Sequence, residues 1–348
     1  MKITSLETIR LRDHANIVWV RVHTDAGVVG LGETFRGAEP VETFIHAAVA
    51  PQLIGRDPRR IDAIAKLLTE PYIGFRSSGV EMRAASAIDI ALWDLLGKAS
   101  GLPVYQLLGG LSRDRIRTYN TCAGYSYNSS GGRRAIGAED RATGPYDDQL
   151  GFERDAGALA ESLLAEGITA MKIWPFDRYA VASGGNFISS ADIRAGLAPF
   201  EKIRKAVGDR MEIMVELHSM WDLPSALAIA RALRDIRPFW AEDPIKMLDA
   251  GALQTYAERS GIPVCASETI AGRAHYLELF RRECIDYAMP DISWCGGLGE
   301  AKRIATLAES FQRPIAPHDC TGPIVFIAST HLALNAPNAV FQESVRAY

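Results

Sequence analysis

Apolar and polar residues alternate from Ile3 to Glu33, most clearly in the run IVWVRVHT, and the alternation breaks at Asp25-Ala26-Gly27. A period of two turns one side of a strand toward a core, so this segment reads as a strand, a turn and a strand. The period then lengthens. Helical stretches are predicted over about 40–53, 58–68 and 79–99, the last with apolar positions at Ile88, Leu92, Leu95 and Leu96. Prolines at the first two starts, and Gly97 and Gly101 near the last end, suit those boundaries. Strands followed by helices make an α+β unit, assigned to residues 1–112.

From Arg113 the pattern changes to strand, helix, strand, helix. The candidate strands are IRTYNTC, TAMKIW, EIMVELH, PFWAED, PVCASE, IDYAMP, PIAPH and VFQES, with seven helical stretches between them. Short apolar strands alternating with amphipathic helices predict parallel βα units, and eight of them predict a (β/α)8 barrel over residues 113–348. The fold class is therefore α/β, a TIM-type barrel with an N-terminal α+β capping domain. The connection after the first barrel strand, residues 123–151, is polar, glycine-rich and far longer than a usual βα loop. It is expected to lie at the barrel mouth and to act as a lid.

Composition narrows the function only a little. Of 348 residues, 48% are hydrophobic and 23% charged, as in ordinary globular proteins, and a net charge of −4 gives no reason to expect a nucleic-acid partner. No apolar run has the length of a signal peptide or a membrane span, so a cytoplasmic protein with no membrane attachment is expected. The five cysteines (Cys122, Cys265, Cys284, Cys295 and Cys320) form no C-x-x-C pair and read as free thiols of a reducing compartment. A Cys320–His318 nucleophile is the sharper and less favoured reading. The glycines of Gly27–Gly32 do not form a G-x-G-x-x-G motif opening a helix, and read as hairpin and strand-end punctuation.

Chemistry is concentrated at the strand ends. Lys172 ends the second barrel strand, Glu216 and His218 the third, Glu242 the fourth and Glu268 the fifth; Asp291, His318 and Glu343 follow on the sixth, seventh and eighth. From Glu216 onward the steps between strand ends are each about one βα unit of a barrel of about 250 residues, so these residues converge on its C-terminal mouth. Glu216, Glu242 and Glu268 would repel one another strongly in a low-dielectric site. A hard divalent cation removes that cost, and oxygen ligands without cysteine favour Mg²⁺ over Zn²⁺. Asp291 beside His318 would fix the imidazole tautomer and raise its basicity, as a general base requires.

Taken with AIDIALWDLLGK, WAEDP, SETI, MPDISWCGGL, APHDCTGPI and FQES, these residues make the chain resemble the mandelate racemase-like branch of the enolase superfamily over its whole length. Within that branch its motifs are closest to galactonate dehydratase-type sugar-acid dehydratases. The resemblance implies Mg²⁺ held by Glu216, Glu242 and Glu268, a His318–Asp291 dyad as base, and Glu343 near the substrate carboxylate. It also implies Lys172 as a second positive contact and His218 as the acid for a leaving hydroxyl, on the same strand face as Glu216 by the period of two. Trp174 stands where racemases of this branch usually carry a second lysine, and is expected to contact substrate. The first metal ligand is Glu216 where aspartate is commoner, which would shift the ion slightly.

The resemblance further implies that the cap reads the far end of the substrate through the loops near 14–17 and 72–78, with Arg76 as a contact. The substrate would be a small hydroxy-carboxylate and the protein a homo-oligomer. Relatives of this kind usually continue past Tyr348 with a segment that returns to the cap. Two other readings stay open: a racemase or epimerase on the same scaffold, with His218 as second base, and a non-catalytic metabolite-binding protein.

Overall fold

The alternation at the start of the chain becomes three strands where two were expected. β1 (Ile3–Ile9), β2 (Ile17–Thr24) and β3 (Val29–Phe35) form an antiparallel sheet in the order β1-β2-β3. The break between β1 and β2 is a short 3-10 turn at Arg12–His14, whose charged residues give the hydrophobic pattern nothing to show. The computed structural model describes residues 1–70, 78–125, 127 and 146–347. Arg76, most of the 72–78 loop, and positions 126 and 128–145 of the long connection lie outside the described residues.

One helix carries the cap. Val80–Ser100 buries Ala84, Ala87, Ile88, Ala91, Leu92 and Leu95 against the sheet and ends at Gly101 in the left-handed conformation (φ 67°). Gly30 and Gly32 are not punctuation, as read above, but lie inside β3. A Cβ at Gly30 would sit 2.0 Å from the Ala91 carbonyl oxygen, and one at Gly32 2.0 Å from that of Ala87. Only glycine lets this helix approach the strand so closely.

The barrel strands are β4 (Thr118–Thr121), β5 (Ala170–Ile173), β6 (Glu212–Glu216), β7 (Trp240–Glu242), β8 (Val264–Ala266), β9 (Tyr287–Ala288) and β10 (Gln342–Ser344). They pair in parallel in the order β10-β4-β5-β6-β7-β8-β9. The predicted PIAPH strand appears only as parallel bridges, Ile315 to Ala288 on one side and to Ala339 on the other. Those bridges close the ring. The long connection is shorter at its far end than expected, because a helix begins at Asp148, capped by Asp147 accepting from the Leu150 N–H at 3.1 Å. Among the described residues no helix is long and apolar enough to cross a membrane. The five cysteines are buried and form no disulfide.

Two buried carboxylates of the cap meet two helix N-termini of the barrel. Glu33 on β3 accepts from the N–H groups of Ile324 (3.4 Å) and Val325 (3.2 Å), at the start of Pro323–Asn335, and from Trp19 Nε1 (2.6 Å). Asp89 on the cap helix accepts from the Gly299 N–H (3.0 Å) at the start of Leu298–Ser310. The partners are glycine-lined because a Cβ at Gly322 would lie 2.6 Å from Glu33, and one at Gly297 2.3 Å from Asp89. Burial pushes both carboxyls up to about 7, against the lowering effect of the backbone N–H groups.

Candidate active site

Side chains fill the barrel in layers two residues apart, as the strand period requires. One layer is apolar and takes a residue from every strand position: Tyr119, Ala170, Met214, Trp240, Cys265, Met289, Ala316 and Phe341. Two residues further toward the mouth, the same strands present Thr121, Lys172, Glu216, Glu242, Ser267, Asp291, His318 and Glu343, all buried. Polarity therefore changes abruptly between adjacent layers. Glu268 is the exception to the spacing, sitting three residues past its apolar layer member.

At the centre, Lys172 Nζ contacts Glu242 Oε1, Glu343 Oε1 at 2.8 Å and Glu216 Oε2 at 3.4 Å. Burial alone would lower the lysine, but these carboxylates outweigh it and hold it well above its ordinary value. Opposite, His318 Nδ1 lies 2.7 Å from Asp291 Oδ2, and its Nε2 lies 2.6 Å from Glu268 Oε2 and 3.8 Å from Glu343 Oε2. Asp291 is itself fixed by the N–H and hydroxyl of Ser293, each at 2.6 Å. Burial would lower His318, yet Glu268 and Glu343 hold it protonated.

Glu216 and Glu242 are partners across β6 and β7 and Glu268 acts on Glu216 electrostatically, but among the described residues the group of possible metal donors is Glu242, Glu268 and His318, without Glu216. Burial raises Glu216 to about 7 and lifts Glu242 well above the carboxylate range, the latter reinforced by Glu216. Glu268 is kept low because His318 overcomes its burial. Single donor atoms of Glu242, Glu268 and His318 lie within 4.8 Å of one another. Glu216 Oε2 is buried without a hydrogen-bond partner, while its Oε1 accepts from the N–H groups of Leu217 (2.9 Å) and His218 (2.6 Å). A buried carboxylate oxygen with no hydrogen-bond donor, held only by the 3.4 Å ion-pair contact with Lys172, fits a hard divalent cation beside the other glutamates.

His218 reaches the mouth differently from the strand-face expectation. β6 ends at Glu216, and His218 and Ser219 take left-handed conformations (φ 48° and 54°). The turn is held by the bonds to Glu216 and by the Ser219 N–H donating to the Asp243 carbonyl at 2.8 Å. There His218 Nδ1 lies 2.6 Å from Asp177 Oδ2, and its ring meets the Trp174 ring edge-on at 5.5 Å. Burial would lower His218, but Asp177 raises it above its usual value. Trp174 is buried between Phe152 and His218, as a wall of this subsite.

Glu343 is expected near the substrate carboxylate, where a protonated carboxyl could donate a hydrogen bond. Its oxygens are instead occupied, accepting from Lys172, Thr121 and the Asp319 N–H (2.7 Å), and Lys172 and His318 hold it ionised against the effect of burial. Cys320 does not present a thiolate: burial pushes its thiol up more than His318 pulls it down. Asp177 was missed because it opens the short helix Asp177–Ser183 beyond β5, in WPFDRY, with no spacing to mark it. Third and seventh positions in an eight-membered ring are diametrically opposed, so the His218–Asp177 and His318–Asp291 pairs face each other across Lys172 and the glutamates.

Comparison with known proteins bears on the family and the fold. Residues 155–348 match the family described as enolase C-terminal domain-like, and residues 4–109 match the mandelate racemase / muconate lactonizing enzyme N-terminal domain. D-galactonate dehydratase of Ralstonia nicotianae is 32% identical over 350 residues, covering 99% of this chain and 81% of the relative. The crystal structure of an enolase of the mandelate racemase subgroup from Agrobacterium tumefaciens superposes with a TM-score of 0.88 at 53% identity, over 100% of this chain and 87% of that one. An enolase-superfamily member from Salmonella Typhimurium superposes at 0.85 with 29% identity, over 99% and 87%.

Proposed function

The chain belongs to the enolase superfamily, in its mandelate racemase / muconate lactonizing enzyme branch, and from that premise we propose that it dehydrates a sugar acid, an aldonate or aldarate, to a 2-keto-3-deoxy acid. The observation that carries this is the pair of opposed histidine–carboxylate dyads. One can take a proton while the other gives one, and β-elimination of water needs both.

Glu216, Glu242 and Glu268 would hold Mg²⁺. When bound, the ion supplies Lewis-acid charge for the substrate carboxylate and neutralises the glutamates that otherwise engage Lys172 and His318. His318, oriented through Nδ1 by Asp291, takes the α-proton at Nε2. Lys172 stabilises the negative charge that develops on the carboxylate oxygens. His218, kept protonated by Asp177, gives its proton to the hydroxyl leaving the neighbouring carbon. Trp174 and Phe152 exclude water beside His218. The enol released by elimination tautomerises to the keto acid.

Asp177 also favours a second reading, because an imidazole so partnered could act as a base. An epimerase would use both dyads on opposite faces of the α-carbon. Incubating sugar acids with the enzyme and Mg²⁺ separates the two readings, since product mass falls by one water only on dehydration. Roles are assigned by exchange in deuterium oxide. His318→Asn should abolish both dehydration and α-proton exchange, whereas His218→Asn should slow dehydration by about 10²–10⁴-fold and leave exchange measurable. Exchange surviving in the first variant and lost in the second would reverse the assignment.

A further inference from the structure

Two arginines of the cap sit on the aromatic wall that ends at His318. Phe35 at the end of β3 stacks on Trp294 (6.0 Å between centroids, 21° between planes) and on Tyr127 (6.1 Å, 6°). Trp294 in turn lies 5.3 Å from the His318 ring. The Arg83 guanidinium lies over Trp294 at 5.1 Å, and that of Arg36 over Phe35 at 5.7 Å. Arg83 is aimed by the carbonyl oxygens of Phe35 and Ser78, each accepting at 3.1 Å. Trp294 Nε1 donates to the same Phe35 carbonyl at 3.1 Å, which locks wall and cation together.

Neither guanidinium forms an ion pair with a carboxylate among the described residues. Burial and the neighbouring Arg36 pull Arg83 down against the attraction of Asp291 and Glu268, while Tyr127 and Glu268 raise Arg36 against its burial, so two like charges lie close together. Arg36 also holds a left-handed backbone (φ 64°), a conformation that non-glycine residues rarely adopt. A fold that places two cations side by side on an aromatic wall, with Asp291 and Glu268 acting on them only from beyond ion-pair distance, presents a site for an anion.

We infer that Arg36 and Arg83 bind a second carboxylate of the substrate, so that the substrate is a sugar diacid and not a monoacid. The inference rests on the dehydratase reading and names the substrate class for the same site. The two spacings through Trp294 put the Arg83 guanidinium carbon no more than about 10 Å from the His318 ring. An extended chain gains about 1.3 Å per carbon–carbon bond. With a hydrogen bond of about 3 Å at each end, a chain of five or six carbons covers that reach. The near carboxylate would then meet Lys172 and the far one the two guanidiniums.

Calorimetric titration with Mg²⁺ present tests this, using glucarate and galactarate against gluconate and galactonate, on the wild-type protein and on Arg36→Gln and Arg83→Gln. Diacids should bind at least about tenfold more tightly than their monoacid counterparts, and either substitution should lower that ratio by about 10- to 100-fold. Arg36 is exposed, so its variant carries the test if Arg83→Gln does not fold. Equal affinity for both classes in the wild type, or equal loss of both in the variants, would overturn the inference and leave the arginines as counter-charges to the glutamates. Preferential binding of 6-phosphogluconate would also overturn it, in favour of a phosphoryl reader. Product formation is scored separately. Diacid-selective binding without any 2-keto acid sinks the dehydratase reading alone, and turnover by a protein with no diacid preference sinks this inference alone.

Discussion

Glu33 should make the docking of cap on barrel depend on pH. Its carboxyl is fully buried, at the N-terminus of Pro323–Asn335, only a few residues from His318. Two effects compete there. Backbone N–H groups and the helix dipole favour the ionised form, while loss of solvent favours the neutral one. Burial wins, with the group raised from 4.5 to about 7. Below pH 4.5 both folded and unfolded chains carry this proton. Between 4.5 and 7 the unfolded chain releases it and the folded chain keeps it, so the unfolded state binds fewer protons and stability falls as pH rises. The slope is about 1.4 kcal/mol per pH unit, which accumulates to about 3 kcal/mol by pH 7 and is constant above. Stability from this group is thus present in full at low pH and lost as pH passes through 7.

Glu33→Gln removes the titration while keeping one acceptor oxygen. The variant loses part of its bonding to Trp19, Ile324 and Val325, so its baseline stability should drop by about 1–3 kcal/mol. The informative quantity is the difference between wild type and variant as a function of pH. Urea unfolding followed by tryptophan fluorescence at pH 5, 6, 7 and 8, with EDTA in every sample, measures it. The wild-type advantage should shrink from pH 5 to 7 and then level off. An advantage that grows over that interval would mean that the helix N-terminus holds Glu33 ionised, and would refute the reasoning. A pH-independent difference would refute it as well.

Two further outcomes concern the site. Exhaustive chelation should abolish turnover, Mg²⁺ should restore it, and Glu216→Gln should weaken Mg²⁺ binding at least about tenfold by calorimetry; turnover that survives chelation would discard the cation. Asp177→Asn should lower the pKa of His218, because the aspartate is what overcomes its burial. On the proposed role of His218 as the acid for the leaving hydroxyl, the alkaline limb of the kcat profile should move to lower pH in this variant, with kcat at neutral pH reduced by about tenfold or more. An unmoved limb would remove Asp177 from the proton path.

What the chain reveals on reading depends on whether a period carries it. Lys172, Glu216, Glu242, Asp291, His318 and Glu343 were legible because each stands two residues beyond a buried apolar position on its strand, and from Glu216 onward the strands recur at a nearly constant interval. The barrel and its cap were legible for the same reason. Where the chain leaves a regular period, the signal disappears. The Arg12–His14 turn splits one apparent strand into two, and the seventh strand is reduced to bridges at Ile315, although its pattern matched the others. His218 was found, but its orientation comes from a left-handed turn and not from the strand face that suggested it. Asp177, Arg36 and Arg83 were invisible as a group. Their meaning lies in contacts across the fold: with His218 for the first, and with Phe35 and Trp294 for the others. Gly30 and Gly32 make the same point from the packing side. Read along the chain they are turn residues, and only the helix pressed against them shows that they are spacers between sheet and helix. Position in a period predicts where a side chain points, but its partner, and hence its protonation and role, is set by chain segments far away in sequence.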